Sequence, residues 1–387
     1  MKDSSRASIA GLGITEVGKI YGRSATDFAA DAVRRAAADA GLRATDIDGL
    51  LVSSGLRRDL GISLANVLGL RDLRLLTEMN AYGATAGSML TYAAAAVTSG
   101  MAETVACVFA DAPLQPKLSA GAAYTGRGRK PATGFASYNI ASGITNANAR
   151  YALATRRHME TYGTTSEQLG HIAVAQRSWA ALNPLAQLRD PITLADHQNS
   201  RWIADPLHLL DCCLVSNGGA AVIVTTAERA RNLAQPPVDI LGWGQGHPGQ
   251  LAERGSEFGL RTGAAISGPT ALKMAGVSVG DVDLVELYDC YTFTVLITLE
   301  DYGFCAKGEG GAFVADGRLG PGGALPLNTG GGQLSSYYLW GMTPLTEAVI
   351  QGRGQAGERQ VGKRDVILVS GNGGVLDHHS TLVLKGA

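Results

Sequence analysis

The sequence predicts an α/β fold built from two duplicated lobes, and three observations carry that prediction. Apolar periodicity alternates between strand and helix in the order β, α, β from the first residues onward, the pattern of a sheet with helices packed on it. A set of short segments recurs in the second half in the same order as in the first. Cysteine spacing and hydropathy give neither a disulfide framework nor a membrane span, so the 387-residue chain depends on one large core or two coupled ones.

Residues 8–12 read as a short strand, 26–40 as a helix with Ala and Val on one face, and 49–53 as a second strand. Between Glu78 and Glu103 lie 24 residues without a charge, made of Ala, Gly, Ser and Thr with few larger side chains. That stretch is too weakly apolar to span a bilayer and reads as a buried helix preceded by a tight turn. A strand over 105–110 follows. Residues 111–198 form a long insertion with a basic, glycine-rich run (Tyr124-Thr125-Gly126-Arg127-Gly128-Arg129-Lys130) and a helical region over 146–179. Insertions of this length usually carry function, and covering a substrate is the expected one.

The echo starts with Ala40-Gly41-Leu42, Asp46-Ile47-Asp48 and Leu50, which return as Ala275-Gly276-Val277, Asp281-Val282-Asp283 and Val285 at a constant offset of 235. Ala96-Val97-Thr98-Ser99-Gly100 resembles Ala348-Val349-Ile350-Gln351-Gly352, and the strand at 105–110 resembles 366–371. The order is kept while the offset drifts upward, as two halves with different insertions would give. The expected lobes are 1–235, carrying the insertion, and 236–387.

Lys and Arg number 33 and Asp and Glu 34, a net charge of −1, which argues against nucleic-acid binding and against an electrostatic membrane anchor. Glycine contributes 51 residues, about twice the usual share and without collagen periodicity, so it needs a local cause. Cys107, Cys212, Cys213, Cys290 and Cys305 are odd in number and contain no Cys-x-x-Cys pair, the usage of a reducing cytoplasm. The seven histidines, among them the pair His378 and His379, show no ligand spacing, so no metal site is expected. The opening residues contain no apolar signal-type run.

The segment Asp205-Pro206-Leu207-His208-Leu209-Leu210-Asp211-Cys212-Cys213, leading to Ser216-Asn217-Gly218-Gly219-Ala220-Ala221, resembles the element that closes the first half of thiolases of the sterol carrier protein type. The resemblance spans nearly the whole chain and implies the thiolase fold: two βαβαβαββ lobes in a five-layer αβαβα arrangement around shared central helices. Thiolases attack a thioester with a cysteine at the start of a buried helix, where dipole and backbone amides favour thiolate and oxyanion. The matching stretch here is Asn80-Ala81-Tyr82-Gly83-Ala84-Thr85-Ala86-Gly87, with Ala84 at the nucleophile position. Alanine has no lone pair to offer, so covalent acyl transfer through that position is chemically excluded.

Both family histidines are also replaced. The His-Asp-Cys-Phe run is matched by Tyr288-Asp289-Cys290-Tyr291, and the Gly-His-Pro that follows Asn-x-x-Gly-Gly falls on Tyr337-Tyr338-Leu339 after Asn328-Thr329-Gly330-Gly331-Gly332. The last motif, Cys-x-Gly-Gly-Gly, is matched by Ser370-Gly371-Asn372-Gly373-Gly374. Two phenols at former histidines with the glycine framework retained resemble the thiolase-like aldolases of steroid side-chain degradation, also described as lipid-transfer proteins. Leu299-Glu300-Asp301-Tyr302-Gly303-Phe304-Cys305 and Lys307-Gly308-Glu309-Gly310-Gly311 are similar to that group as well.

The resemblance implies retro-aldol cleavage of a β-hydroxyacyl-CoA to a ketone and a short acyl-CoA such as propionyl-CoA. Tyr288 is expected as base and Tyr338 as acid, and Gly83, Ala84, Asn328, Asn372 and Gly373 as the oxyanion and substrate-binding residues. Arg127, Arg129 and Lys130 either meet the CoA phosphates or solvate a loop. Tyr82, Tyr291 and Tyr337 read as packing residues and Cys290 as an inert buried thiol. The glycine clusters at 83–87, 330–332 and 371–374 are expected to wall one pocket. No cofactor beyond the CoA thioester is implied. A homodimer is expected, joined by a small OB-fold and zinc-ribbon partner as an α2β2 assembly in the cytoplasm. The competing reading is a non-catalytic subunit that binds acyl-CoA beside an active partner.

Overall fold

The computed structural model describes residues 6–57, 59–123, 133–134, 136–249 and 253–387. Its strands are β1 (Ala7–Ile14), β2 (Gly49–Ser54), β3 (Leu75–Glu78), β4 (Val105–Asp111), β5 (Trp202–Ala204), β6 (Leu207–His208), β7 (Gly218–Thr226), β8 (Val238–Gly246), β9 (Leu284–Glu286), β10 (Ile367–Gly373) and β11 (His378–Lys385). The first half contributes helices α1 (Ala25–Asp39), α2 (Leu64–Leu68), α3 (Thr85–Thr98), α4 (Ala136–Ala141), α5 (Ala147–Tyr162), α6 (Ser166–Ala181), α7 (Leu194–Asn199) and α8 (Ala227–Ala230). The second contributes α9 (Ala264–Ala275), α10 (Thr292–Tyr302), α11 (Gly310–Val314) and α12 (Met342–Gly352).

Nine strands form one sheet in the order β3-β2-β4-β7-β1-β8-β11-β10-β9, and β5 with β6 makes a small hairpin. The two halves repeat each other. In the first, β2 is parallel to β3 and β4, β4 is antiparallel to β7, and β7 to β1. In the second, β9 is parallel to β10, β10 is antiparallel to β11, and β11 to β8. A parallel bridge from Val285 to Leu327 stands where β3 stands beside β2. The halves join where β1 and β8 pair antiparallel, Ala7 opposite Ile240 and Ile9 opposite Val238.

The period-two strands bury both faces. Leu51, Val105, Cys107, Phe109, Val222 and Val224 turn to the face that holds α3. Leu50, Val52, Ala106, Val108, Ala221 and Ile223 turn to the face that holds α1 and α2. Ser24 starts α1 one residue before the expected position because its side chain accepts from the Asp27 amide at 3.1 Å while Asp27 returns a bond to the Ser24 amide. The uncharged stretch becomes α3, entered through a 3₁₀ turn at Tyr82–Ala84. Ser88, Thr91 and Thr98 donate to carbonyls four residues back at 3.1, 2.9 and 2.8 Å, so the helix carries no unpaired hydroxyl there into the interior. α3 and α12 touch one another and strands of both halves, whereas α1 lies on the first half and α9 on the second. The layers therefore run helix, half-sheet, central helices, half-sheet, helix.

Glycine finds its local cause here. A Cβ on Gly11 or Gly13 would fall on the backbone of α1, and one on Gly242, Gly244 or Gly246 on α9 or the turn that leads into it. Both lobes bring helix and strand together over glycine.

The insertion folds as α5–α7 against the second half. Trp179 Nε1 donates to the Leu319 carbonyl at 2.9 Å, Asn183 Nδ2 to that of Gly330 at 2.8 Å, and Arg177 Nε to Ser335 Oγ at 2.8 Å. Among the described residues no helix is long and apolar enough to cross a membrane, and no three His, Cys, Asp or Glu side chains converge as a metal site would need.

Candidate active site

The segment before α3 is held in a strained turn. Tyr82 has φ 52°, fixed by Asn80 Oδ1, which accepts from its amide at 3.0 Å, and by Thr85 Oγ1, which donates to its carbonyl at 2.6 Å. Ala84, fully buried, follows as the N-cap of α3, and its amide donates to the Ala81 carbonyl at 3.1 Å.

Glycines bring three other segments onto this turn. A Cβ on Gly83 would land on the Tyr288 ring and the Asn372 carbonyl, one on Gly373 on the Ala81 carbonyl, and one on Gly341 on the Gly83 carbonyl. Tyr288 leaves the end of β9, where Asn328 Oδ1 accepts from the Leu287 amide at 2.7 Å and Thr294 Oγ1 donates to the Tyr288 carbonyl at 3.1 Å. Tyr338 follows a π-helical turn at Gly332–Ser336. The start of that turn is pinned by Asp289, which accepts from the Gln333 amide at 2.9 Å and from that of Leu334 at 3.2 Å. The Tyr338 amide donates to Ser216 Oγ at 3.0 Å.

These supports set the two hydroxyls 3.0 Å apart in a direct hydrogen bond, the Tyr288 side packed over Gly83 beside Ala84. Burial pushes the Asp289 carboxyl up to about 7, against the backbone amides that hold it down, and the Cys290 thiol up to about 12. Cys290 therefore stays protonated at neutral pH.

The remaining expected residues divide. Asn372 is at the site, its Nδ2 donating to Tyr151 Oη at 2.9 Å and its backbone lying on Gly83. Asn328 spends its oxygen on the Leu287 amide, and its side chain also helps hold the Asp289 carboxyl down. Gly373 lies in β10 opposite His378. Arg127, Arg129 and Lys130 lie outside the described residues. Gly371 and Gly373 approach the 81–84 turn, but Gly330, Gly331 and Gly332 do not wall the same space: their faces are filled by Glu347, Ala180 and Asp289, and Gly87 packs on Ser380. Tyr337 donates to or accepts from Thr346 at 2.8 Å, and Tyr291 donates to Asn148 Oδ1 at 2.5 Å, both from buried positions. Tyr82 is not a packing residue. It is 48 % exposed, stacked on His378 with centroids 6.4 Å apart and tilted on Trp340 at 5.9 Å.

Of the histidine pair, His378 stays at the rim with His247, while His379 is buried with Ser370 Oγ 2.9 Å and Tyr302 Oη 3.1 Å from its Nε2. Tyr151, carried by α5, was not foreseen, because no spacing in the sequence ties the insertion to residue 372.

The C-terminal part, residues 244–386, matches the family model "Thiolase C-terminal domain-like". The chain is 39 % identical over 375 residues to a "Steroid side-chain-cleaving aldolase" of Thermomonospora curvata, covering 95 % of each chain. It is 38 % identical over 383 residues to a "17-hydroxy-3-oxo-4-pregnene-20-carboxyl-CoA lyase" of Mycobacterium tuberculosis, covering 96 % of this chain and 97 % of the relative. A solved structure described as "Ltp2-ChsH2(DUF35) aldolase" superposes with a TM-score of 0.87 at 39 % identity, covering 99 % of this chain and 98 % of the other. With relatives of this kind matching it over nearly its full length, the chain belongs to the thiolase-like family that includes the steroid side-chain-cleaving aldolases.

Proposed function

We propose that the protein cleaves the Cα–Cβ bond of a β-hydroxyacyl-CoA of the steroid side-chain type, releasing a ketone and a short acyl-CoA such as propionyl-CoA. The observation that carries this reading is the 3.0 Å contact between Tyr288 Oη and Tyr338 Oη beside Ala84. A nucleophile is absent where acyl transfer would need one, and two proton-exchanging groups stand together where a retro-aldol reaction needs them.

Tyr288, entering the cycle as the phenolate of the hydrogen-bonded pair, takes the β-hydroxyl proton. The C–O bond becomes a carbonyl, the Cα–Cβ bond breaks, and its electron pair enters the thioester as an enolate. Tyr338 then protonates Cα, and a proton passes from Tyr288 to Tyr338 along the hydrogen bond between them to reset the pair, so one proton moves from the β-oxygen to Cα overall. Donors around the 81–84 turn stabilise the enolate oxygen, with Asn328 as the expected side-chain contributor. The thioester is itself the electron sink, so the reading calls for no further cofactor.

The reading extends to a cytoplasmic homodimer of two-lobed chains, 1–235 and 236–387, with a small OB-fold and zinc-ribbon partner in an α2β2 assembly. A partner is supported by the second named component, ChsH2(DUF35), of the similar solved structure. The test is to incubate protein and partner with a steroid β-hydroxyacyl-CoA and follow ketone and short acyl-CoA. Tyr288→Phe and Tyr338→Phe should each lower cleavage by about 10²-fold or more. Near-wild-type cleavage by both variants would overturn the mechanism.

A further inference from the structure

Tyr151 is 2 % exposed and projects from α5 of the insertion to the end of β10. Its hydroxyl has one proton, which goes to the Gly374 carbonyl at 3.2 Å. The oxygen is therefore left to accept, and it accepts from Asn372 Nδ2 at 2.9 Å. That polarity fixes the Asn372 amide, nitrogen toward Tyr151 and oxygen away, and this Oδ1 is buried without a hydrogen bond. The ring is held by Tyr291 with centroids 4.4 Å apart. The backbone that Tyr151 grips is the one whose Asn372 carbonyl, together with the Tyr288 ring, fills the space over Gly83, and whose Gly373 lies on Ala81.

Resting on the proposed cleavage reaction, we propose that Tyr151 is a positioning residue: through Asn372 and Gly374 it fixes the end of β10 against which Tyr288 and the 81–84 turn are seated. The insertion thereby becomes part of the active site rather than only its cover. Burial, with Cys290 and Tyr288 nearby, keeps the Tyr151 hydroxyl protonated well beyond the ordinary phenol range, so it holds geometry and leaves proton transfer to the other two tyrosines.

The experiment is a double-mutant cycle of Tyr151→Phe and Asn372→Ala in the complex with the partner, reading kcat, KM and melting temperature, with Tyr291→Phe as a second variant. Tyr291→Phe loosens the neighbouring ring from Asn148 and leaves the Tyr151 bonds to Asn372 and Gly374 intact. Tyr151→Phe should lower kcat at least about tenfold, as a small misplacement of reacting groups does, with KM within about twofold and melting little changed. The double variant should be no slower than Asn372→Ala alone, and Tyr291→Phe should keep most of its kcat. A Tyr151→Phe enzyme with wild-type kcat, independent effects that multiply in the cycle, or an equal loss in Tyr291→Phe would overturn the role while leaving the cleavage reaction standing. A wild-type complex that leaves the Cα–Cβ bond of the β-hydroxyacyl-CoA uncleaved would overturn the reaction and this role together.

Discussion

Three non-glycine residues around the tyrosine pair hold left-handed backbone: Tyr82 at φ 52°, Asn328 at 51° and Trp340 at 51°. Such conformations cost about 1–3 kcal/mol each and persist where the surroundings over-determine them. Here Asn80 and Thr85 fix the first, the Leu287 amide fixes the second, and Gln333 Nε2 donates to the Trp340 carbonyl at 3.0 Å. The strain places aromatic side chains around a turn that only glycine can complete. Gly83→Ala tests this directly, because the added methyl would occupy the position of the Tyr288 ring. Overpacking of this kind costs about 1–3 kcal/mol, and displacing the phenol should remove about 10²-fold or more of the cleavage rate. Gly121→Ala, with nothing within 4 Å of the new atom, should match wild type in thermal melting and turnover. If Gly83→Ala keeps its turnover, the Tyr288 ring is not set by this contact.

β1, β2, β4, β10 and α1 were legible as elements because their burial follows a local period, and α3 because an uncharged run of small residues has few other places to go. The anchoring of α5–α7 was not, since its bonds join residues far apart in sequence and no local pattern encodes the partner. Asp211 shows the difference. It lies in a run whose likeness to a family motif was readable, yet its task is tertiary: it accepts from His197 Nε2 at 2.9 Å, Thr292 Oγ1 at 2.5 Å and the His208 amide at 2.7 Å, all buried. It thus ties α7 to the start of α10. Asp211→Ala would strand three polar groups at about 1–3 kcal/mol for each left unpaired, so we expect a loss of about 3 kcal/mol or more in urea unfolding and faster proteolysis within α5–α7. Asp211→Asn, which keeps an acceptor, should lose less. Equal midpoints for wild type and Asp211→Ala would remove Asp211 from this task. The same distance effect hid Tyr151, whereas Tyr288 and Tyr338 were each expected from a local run of residues, and the structure brings their hydroxyls together.

Across the molecule, the near-zero charge and the glycine excess belong to one design: two halves of a sheet buried on both faces, with helices seated close on glycine-bearing strands. A core of this kind isolates ionisable groups from water, and its pH response follows. His379 is buried behind β10, and desolvation holds its imidazole down to about 3 from the ordinary 6.5. The unfolded chain takes up that proton below pH 6.5 and the native state does so only near pH 3. The stability associated with neutral His379 is therefore complete above pH 6.5 and is lost as pH falls toward 3, at up to roughly 1.4 kcal/mol per pH unit for one proton. Asp289 acts oppositely. Its native value of about 7 against an ordinary 3.8 makes it stabilising in acid and costly as pH rises through that window. Between pH 4 and 6.5 the two slopes offset, so a wild-type stability profile alone conceals both groups. His379→Asn separates them. Whatever it costs at pH 7, the difference in unfolding free energy between variant and wild type should shift in favour of the variant by about 1 kcal/mol for each pH unit from 6.5 down to 4, read from urea midpoints at a series of pH values. Parallel profiles over that range would mean that His379 exchanges protons with solvent in the folded protein and that the core around β10 is not closed.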